Sequence, residues 1–209
     1  MNDTERLAEV REKLAITQHD DEILWAMREI RFFLRSQNCS IKTVLEYGVD
    51  GGGNLALMAN LIDSDGLMIG VDLAITEGRS AAIEAVAQRK VCLLNRSSID
   101  PETTKLIATM VPGGIDVCFF DSLHTEEQLD NELEQALTLI SRPAVLAFHD
   151  IGIGTQRHNV NGELVPSTSI FWDKIRKDER FDGYDAKVAN KEGRCGIGLL
   201  WLEKGKEAR

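Results

Sequence analysis

Little in this sequence would cross-link the chain, hold it in a bilayer or draw it to a polyanion. Its four cysteines, Cys39, Cys92, Cys118 and Cys195, are widely spaced and form no C-x-x-C pair, so neither a disulfide framework nor a zinc site is suggested. Cys92 and Cys118 sit inside apolar stretches and read as small core residues. No apolar run approaches the ~18 residues that a membrane-spanning helix needs. The opening Met1-Asn2-Asp3-Thr4-Glu5-Arg6 is charged and lacks the apolar core of a signal peptide. The expectation is a cytoplasmic protein with no membrane partner. Basic residues are outnumbered, 24 Lys and Arg against 34 Asp and Glu, for a net charge of -10. Nucleic-acid binding relies on Lys and Arg neutralising phosphates. The balance therefore argues against a nucleic-acid partner, and no cluster of basic residues stands out along the chain. Internal repeats, low-complexity segments and signs of a second domain are also missing.

The composition, 43% hydrophobic and 28% charged over 209 residues, is that of a soluble globular chain. It is long enough to bury about three-quarters of its unfolded surface. Residues 1–40 read as a helical appendage to an α/β core spanning 41–209. Leu24, Met27, Ile30 and Leu34 recur at helical spacing after His19-Asp20-Asp21, and Glu5 to Leu14 is polar and helix-prone. Such an appendage covers a ligand, makes an oligomer contact that would give a homodimer, or packs on a sheet edge.

From residue 42 the pattern alternates. Strands are expected at Thr43–Glu46, Leu67–Asp72, Lys90–Leu94, Ile115–Asp121 and Ala144–His149, with helices near 54–63, 76–88, 101–110 and 125–140. Runs such as Val117-Cys118-Phe119-Phe120 are apolar throughout, as parallel strands covered on both faces should be. Asp100-Pro101 and the capping box Thr125-Glu126-Glu127-Gln128 mark two helix starts. Ile151 to Ser169 reads as a long loop, followed by a short helix near Ile170–Lys177 and closing strands near Tyr184–Ala189 and Gly196–Leu202. The layout is a doubly wound, mostly parallel seven-stranded sheet.

The chemistry concentrates at the strand ends. Glu46-Tyr47-Gly48-Val49-Asp50-Gly51-Gly52-Gly53 carries a strand into a glycine-rich turn, where backbone can approach a ligand closely. The spacing is not G-x-G-x-x-G, and the turn carries an acid, Asp50, close to Glu46. Carboxylates there repel a pyrophosphate and suit a positively charged ligand, which counts against an NAD(P)-linked enzyme. Asp72 ends the next strand, where it can accept bonds from ribose hydroxyls or cap the helix expected near Thr76. Asn95-Arg96-Ser97-Ser98 can meet an adenine edge or simply form a turn.

With Asp116-Val117-Cys118-Phe119-Phe120-Asp121-Ser122-Leu123-His124 and Phe148-His149-Asp150, these motifs resemble class I S-adenosylmethionine-dependent methyltransferases. The nearest subgroup is the small type-24, cephalosporin-hydroxylase-like and macrolide-sugar O-methyltransferases. The resemblance covers residues 42–150 well and the tail more loosely. It implies a Rossmann-like methyltransferase fold and S-adenosyl-L-methionine held at Glu46, Gly48, Val49, Gly52, Asp72, Leu73, Ser97 and Asp121. It also implies that Asp121 and Asp150 ligate a divalent cation such as Mg or Mn, and that His124 acts as general base. Methyl transfer to a sugar or other small hydroxylated metabolite would follow.

Metal-dependent relatives usually carry two adjacent carboxylates where this chain has His149-Asp150. Imidazole is a poorer ligand for Mg²⁺ and a better one for Mn²⁺, Fe²⁺ or Zn²⁺. Three readings stay open: a different metal ligated by His149, His149 as a second base, or no metal. His124 can equally be a helix-entry residue. In the long loop, Thr155, Gln156, Arg157, His158 and Asn159 offer polar contacts for the acceptor. A binding or scaffold protein that has lost catalysis is the reading from another class.

Overall fold

Each strand owes its place to a period of two. In the computed structural model, which describes residues 1–16, 19–152, 154–181 and 195–203, Val44, Val117, Phe119, Val145 and Ala147 point to one face of the central sheet and Leu45, Tyr47, Cys118, Phe120, Leu146 and Phe148 to the other. Both faces are covered. The strands are β1 (Thr43–Tyr47), β2 (Leu67–Asp72), β3 (Lys90–Asn95), β4 (Ile115–Phe120) and β5 (Ile140–His149), all parallel, with β8 (Ile197–Leu202) antiparallel to β5. Their spatial order is β3-β2-β1-β4-β5-β8. Among the described residues the sheet has six strands; the strand expected at Tyr184–Ala189 lies outside them.

Helices α1 (Asp3–Lys13), α2 (Asp20–Ser36), α3 (Gly53–Met58) and α4 (Arg79–Ala87) cover the first face, burying Leu7, Val10, Met27, Ile30, Leu55 and Ile83. Helices α5 (Pro101–Met110), α6 (Glu126–Leu139) and α7 (Thr168–Ile175) cover the second with Ile107, Leu129, Leu133, Phe171 and Trp172. The strand order reverses between β1 and β4, which opens a crevice beyond the carboxyl ends of these strands. No described helix is long and apolar enough to cross a membrane.

Three expectations need correction. Strand β5 begins at Ile140 rather than Ala144, because α6 runs into it without a loop and Ile140 pairs with Ile115. The stretch expected to be one long loop carries a hairpin, β6 (Gln156–His158) paired with β7 (Leu164–Pro166). Strands of three residues that are mostly exposed leave no hydrophobic period to read. Helix α7 then starts at Thr168, capped by Ser167, ahead of the Ile170 expected.

The amino-terminal helices are part of the core. Phe33 of α2 stacks on Trp201 of β8 with ring centroids 4.7 Å apart. After α1 the chain crosses the glycine-rich turn, and the Gly53 N–H donates to the Ala15 carbonyl (3.0 Å). A Cβ on Gly53 would lie 2.1 Å from that carbonyl oxygen, and one on Gly51 would lie 2.5 Å from Ala15 Cβ. These two glycines therefore make room for protein.

A direct check follows from this contact. Gly53→Ala should lower unfolding stability by about 2 kcal/mol or more, because backbone must shift. Gly113→Ala, where an added Cβ meets nothing within 4 Å, should stay within about 0.5 kcal/mol of the parent. Urea unfolding of both variants measures the contrast, and equal effects would contradict it.

Candidate active site

The crevice is built by backbone geometry first. Gly48 leaves β1 at φ +85°, and a Cβ there would sit 2.2 Å from the Asp121 carbonyl oxygen. Both the left-handed conformation and the close approach demand glycine. Gly48 N–H donates to the Val71 carbonyl (2.9 Å) and Asp121 N–H to the Tyr47 carbonyl (2.8 Å), so the exits of β1, β2 and β4 are tied together. Asp72 adds a second tie. Its Oδ2 accepts from the N–H groups of Val49 (2.8 Å) and Asp50 (3.0 Å), and its Oδ1 accepts from Ala74 N–H (2.8 Å). A carboxylate has about four acceptor positions, so three of them already hold the two loops. Asp72 does not cap a helix near Thr76; α4 starts at Arg79 behind Gly78.

Beyond these strand ends lies a cleft of about 290 Å³. Gly48, Asp50, Asp72 and Asp121 give it an acidic side, and Leu73, Leu123 and Val160 an apolar rim. These three side chains are exposed, Leu73 and Val160 by 75% and 81%. Apolar groups left open on opposing loops suit a flat nucleobase placed between them. Behind the cleft, Ser98 and Ser122 hydroxyls donate to the two oxygens of Glu132 (2.5 and 2.8 Å), and Gln128 Nε2 donates to Glu132 (2.8 Å) and Ser98 (3.0 Å). Burial pushes the Glu132 carboxyl above its usual range, against the pull of these bonds.

Next to the cleft, four side chains from the ends of β4 and β5 converge. His149 Nδ1 and Asp121 Oδ1 are 2.8 Å apart, and His124 Nε2 lies 3.3 Å from Asp121 and 3.5 Å from Asp150. His124 and Asp150 both hold positive φ (60° and 64°). Such strain in residues other than glycine persists where the surroundings enforce it, often at functional sites. Arg157, on β6, donates to Asp150 Oδ2 at 2.6 Å. Serving as anchors, the Ser167 hydroxyl donates to the Gly154 carbonyl and Thr168 N–H to the His124 carbonyl.

The two imidazoles are pushed in opposite directions. Burial lowers His124, and the charges of Asp150 and Asp121 only partly offset it. Burial also works against a proton on His149, but bonding to Asp121 and Cys195 and the charges of Asp121 and Asp150 outweigh it and push His149 up to about 10. A neutral imidazole next to a protonated one gives a base and a fixed positive charge in one cluster.

The structure brings Gly48, Asp72, Leu73, Ser97 and Asp121 to the cleft, and His124, His149 and Asp150 to the adjacent cluster. It does not bring Glu46, Val49 or Gly52 to the cleft. Glu46 is 1% exposed and accepts from Asn54, and burial pushes its carboxyl well above the usual range. Val49 is buried in the core, and Gly52 faces the Ile83 side chain. Of the loop contacts, Arg157 meets the cluster, while His158 bonds to the Gly162 carbonyl within the hairpin.

Glu132 was not foreseen. The available signal was an acid beside Leu133 on the apolar face of α6, at a position where only a partnered carboxylate is tolerated. Cys195 was also missed. Its sulfur joins donor atoms of His149 and Asp150 within 4.8 Å of one another, as do donors of Asp121, His124 and His149. His124 Nδ1, His149 Nε2 and Asp150 Oδ1 are buried with no hydrogen-bond partner. These orphaned donors and the mixed carboxylate and imidazole set fit a divalent transition ion better than Mg²⁺.

Known structures share the architecture. An O-methyltransferase from Bacillus cereus in complex with SAH is 15% identical, with 95% of this chain and 91% of that one covered at a TM-score of 0.63. TomG from Streptomyces achromogenes, in complex with SAM, gives 15%, 96%, 89% and 0.63. The MycE methyltransferase of mycinamycin biosynthesis, in complex with Mg, SAH and mycinamycin VI, is 16% identical at a TM-score of 0.63 and covers all of this chain, which spans 56% of its length. No curated protein matches the chain by sequence. Residues 14–163, which include the glycine-rich turn, the crevice and the whole histidine–carboxylate cluster, match the rhamnosyl O-methyltransferase/CmcI family, and the chain belongs to that O-methyltransferase family.

Proposed function

We propose that this chain methylates a hydroxyl of a small polyhydroxylated acceptor, using S-adenosylmethionine bound in the crevice and His124 as general base. The observation that carries the reading is the pair of opposed imidazoles next to an acidic cleft with an apolar rim. S-adenosylmethionine, when bound, supplies an electrophilic methyl group on a sulfonium centre. Asp50, Asp72 and Asp121 line the same cleft, and their charge favours a cationic ligand over a dinucleotide pyrophosphate. Leu73, Leu123 and Val160 would hold the adenine, and Ser97 stands at the β3 end of the same cleft.

An alcohol is a weak nucleophile until its proton leaves. His124 is neutral at neutral pH; its Nε2 faces Asp121 and Asp150 and carries the hydrogen, which leaves Nδ1, without a partner, to accept the hydroxyl's proton. Asp121 sits at the boundary, lining the cleft while bonding His149. It orients both the base and the fixed charge. Asp121, His149 and Asp150 would hold a divalent ion, which lowers the pKa of a coordinated hydroxyl. Arg157 and the proton on His149 occupy these groups otherwise, so a cation competes with both.

Two measurements test this. Calorimetry with S-adenosylhomocysteine should show saturable binding, equal in the parent and in His124→Gln. Turnover of His124→Gln on a hydroxylated acceptor, read as S-adenosylhomocysteine release, should fall by about 10²–10⁴-fold. Binding of NAD instead would overturn the assignment. Metal titration supplies the second. A ligating His149 must lose a proton that it holds up to about pH 10, so apparent Mn²⁺ affinity should rise about tenfold per pH unit between about pH 6 and 9. Arg157→Gln should bind Mn²⁺ more tightly than the parent at every pH. If neither protein binds Mn²⁺, the site works without a metal, on the charges of Arg157 and His149.

A further inference from the structure

Folding gathers what the sequence scatters. Along the chain no basic cluster stands out, yet Arg6, Arg31, Arg35 and Arg89 line one cavity of about 640 Å³. It lies between the start of α1, the end of α2, Asn60 after α3, and Gln88-Arg89 before β3. That is the edge where the strands begin, opposite the methyl-transfer crevice. One carboxylate, Asp3, joins the four guanidinium groups in the lining.

The cavity is constructed. Arg6 is 4% exposed; its Nε donates to Asn60 Oδ1 (3.3 Å) and its Nη1 to Glu9 (3.1 Å) and to the Val86 carbonyl. Arg31 grips Asp3 through two parallel bonds of 2.8 and 2.9 Å, and Asn60 Nδ2 donates to the same Asp3 (3.1 Å). Arg6, Asn60, Asp3 and Arg31 thus form one fixed network. The other two arginines stand outside this network, Arg35 exposed and Arg89 half-buried. Among the described residues the Arg35 side chain has no hydrogen bond or ion pair, and the Arg89 side chain bonds only through Nη1 to the Gln88 carbonyl, leaving its Nε buried without a partner. Crowding like charges in one cavity, with a buried donor unpaired, raises the free energy of the empty site. A bound anion would offset both costs.

We propose that this cavity is a second ligand site, separate from the crevice, for a phosphate-bearing small molecule. Guanidinium forks bind phosphate oxygens bidentately, and a phosphate dianion matches the excess positive charge better than a single carboxylate. Small-molecule sites span about 300–1,000 Å³, so the volume admits a sugar phosphate or a nucleoside monophosphate as well as the bare anion. The site owes nothing to S-adenosylmethionine, and it stands whether or not the crevice has the function proposed above.

Calorimetry of the full chain at constant ionic strength, with inorganic phosphate, pyrophosphate, a hexose phosphate, a nucleoside monophosphate, sulfate and acetate as probes, decides the matter. Saturable binding of at least one phosphate compound is expected, reduced tenfold or more in the double variant Arg35→Gln/Arg89→Gln. Binding of S-adenosylhomocysteine by that variant should equal the parent's, showing that it is folded. The tighter of the two organic probes identifies the ligand class. Absence of saturable phosphate binding at millimolar concentration, equal binding of every anion including acetate, or undiminished phosphate binding by the double variant would each overturn the proposal.

Discussion

The exits of two neighbouring parallel strands, β1 and β4, are forced into contact at one point. Gly48 stands there with no room for a side chain between it and the Asp121 carbonyl. This contact fixes the turn after β1 against the segment after β4, and the rest of the site is arranged around it. Asp72 can span to Val49 and Asp50 only because the turn is held in that position. Asp121, on the far side of the contact, then faces the cleft while bonding His149. One backbone approach thus places the acidic cleft and the histidine–carboxylate cluster side by side.

The electrostatics of that cluster derive from the unequal surroundings of similar groups. Both imidazoles are buried, and burial disfavours their charged forms. His149 has a 2.8 Å contact to Asp121 to compensate, whereas the contacts of His124 to the same carboxylates are 3.3 and 3.5 Å. About half an ångström separates the imidazole whose proton affinity is raised from the one whose affinity is lowered. His124 and Asp150, at both ends of the cluster, hold left-handed conformations that residues other than glycine rarely adopt.

The parts of this arrangement that could be read in the sequence are those governed by local pattern. Parallel strands buried on both faces are apolar throughout, so β1 to β5 were visible, and the acids and histidines that end them could be placed at the carboxyl edge. The Thr125 cap and the Asp100-Pro101 start were legible for the same reason, but the capping box is not closed, because the Gln128 side chain turns to Ser98 and Glu132. What escaped depends on partners distant in sequence. Four glycines in a turn pointed to a ligand, but Gly51 and Gly53 answer to Ala15, and Gly52 to Ile83. Glu132 was hidden inside an apolar helical stripe, its serine partners coming from the β3 and β4 exits. Arg6, Arg31, Arg35 and Arg89 reveal no cluster until helices α1, α2 and α4 are packed together.

The contact between Ala15 and the glycine-rich turn bears on how such a chain can change over generations. The constraint falls on the turn: a larger residue at Gly51 or Gly53 has no space while the segment around Ala15 stays in place, whereas Ala15 itself is exposed. A side chain gained at either glycine would have to be matched by a shift of the backbone around Ala15. The amino-terminal helices are therefore not a module that recombination could exchange freely between relatives, because they bring with them one wall of the turn on which the crevice is built.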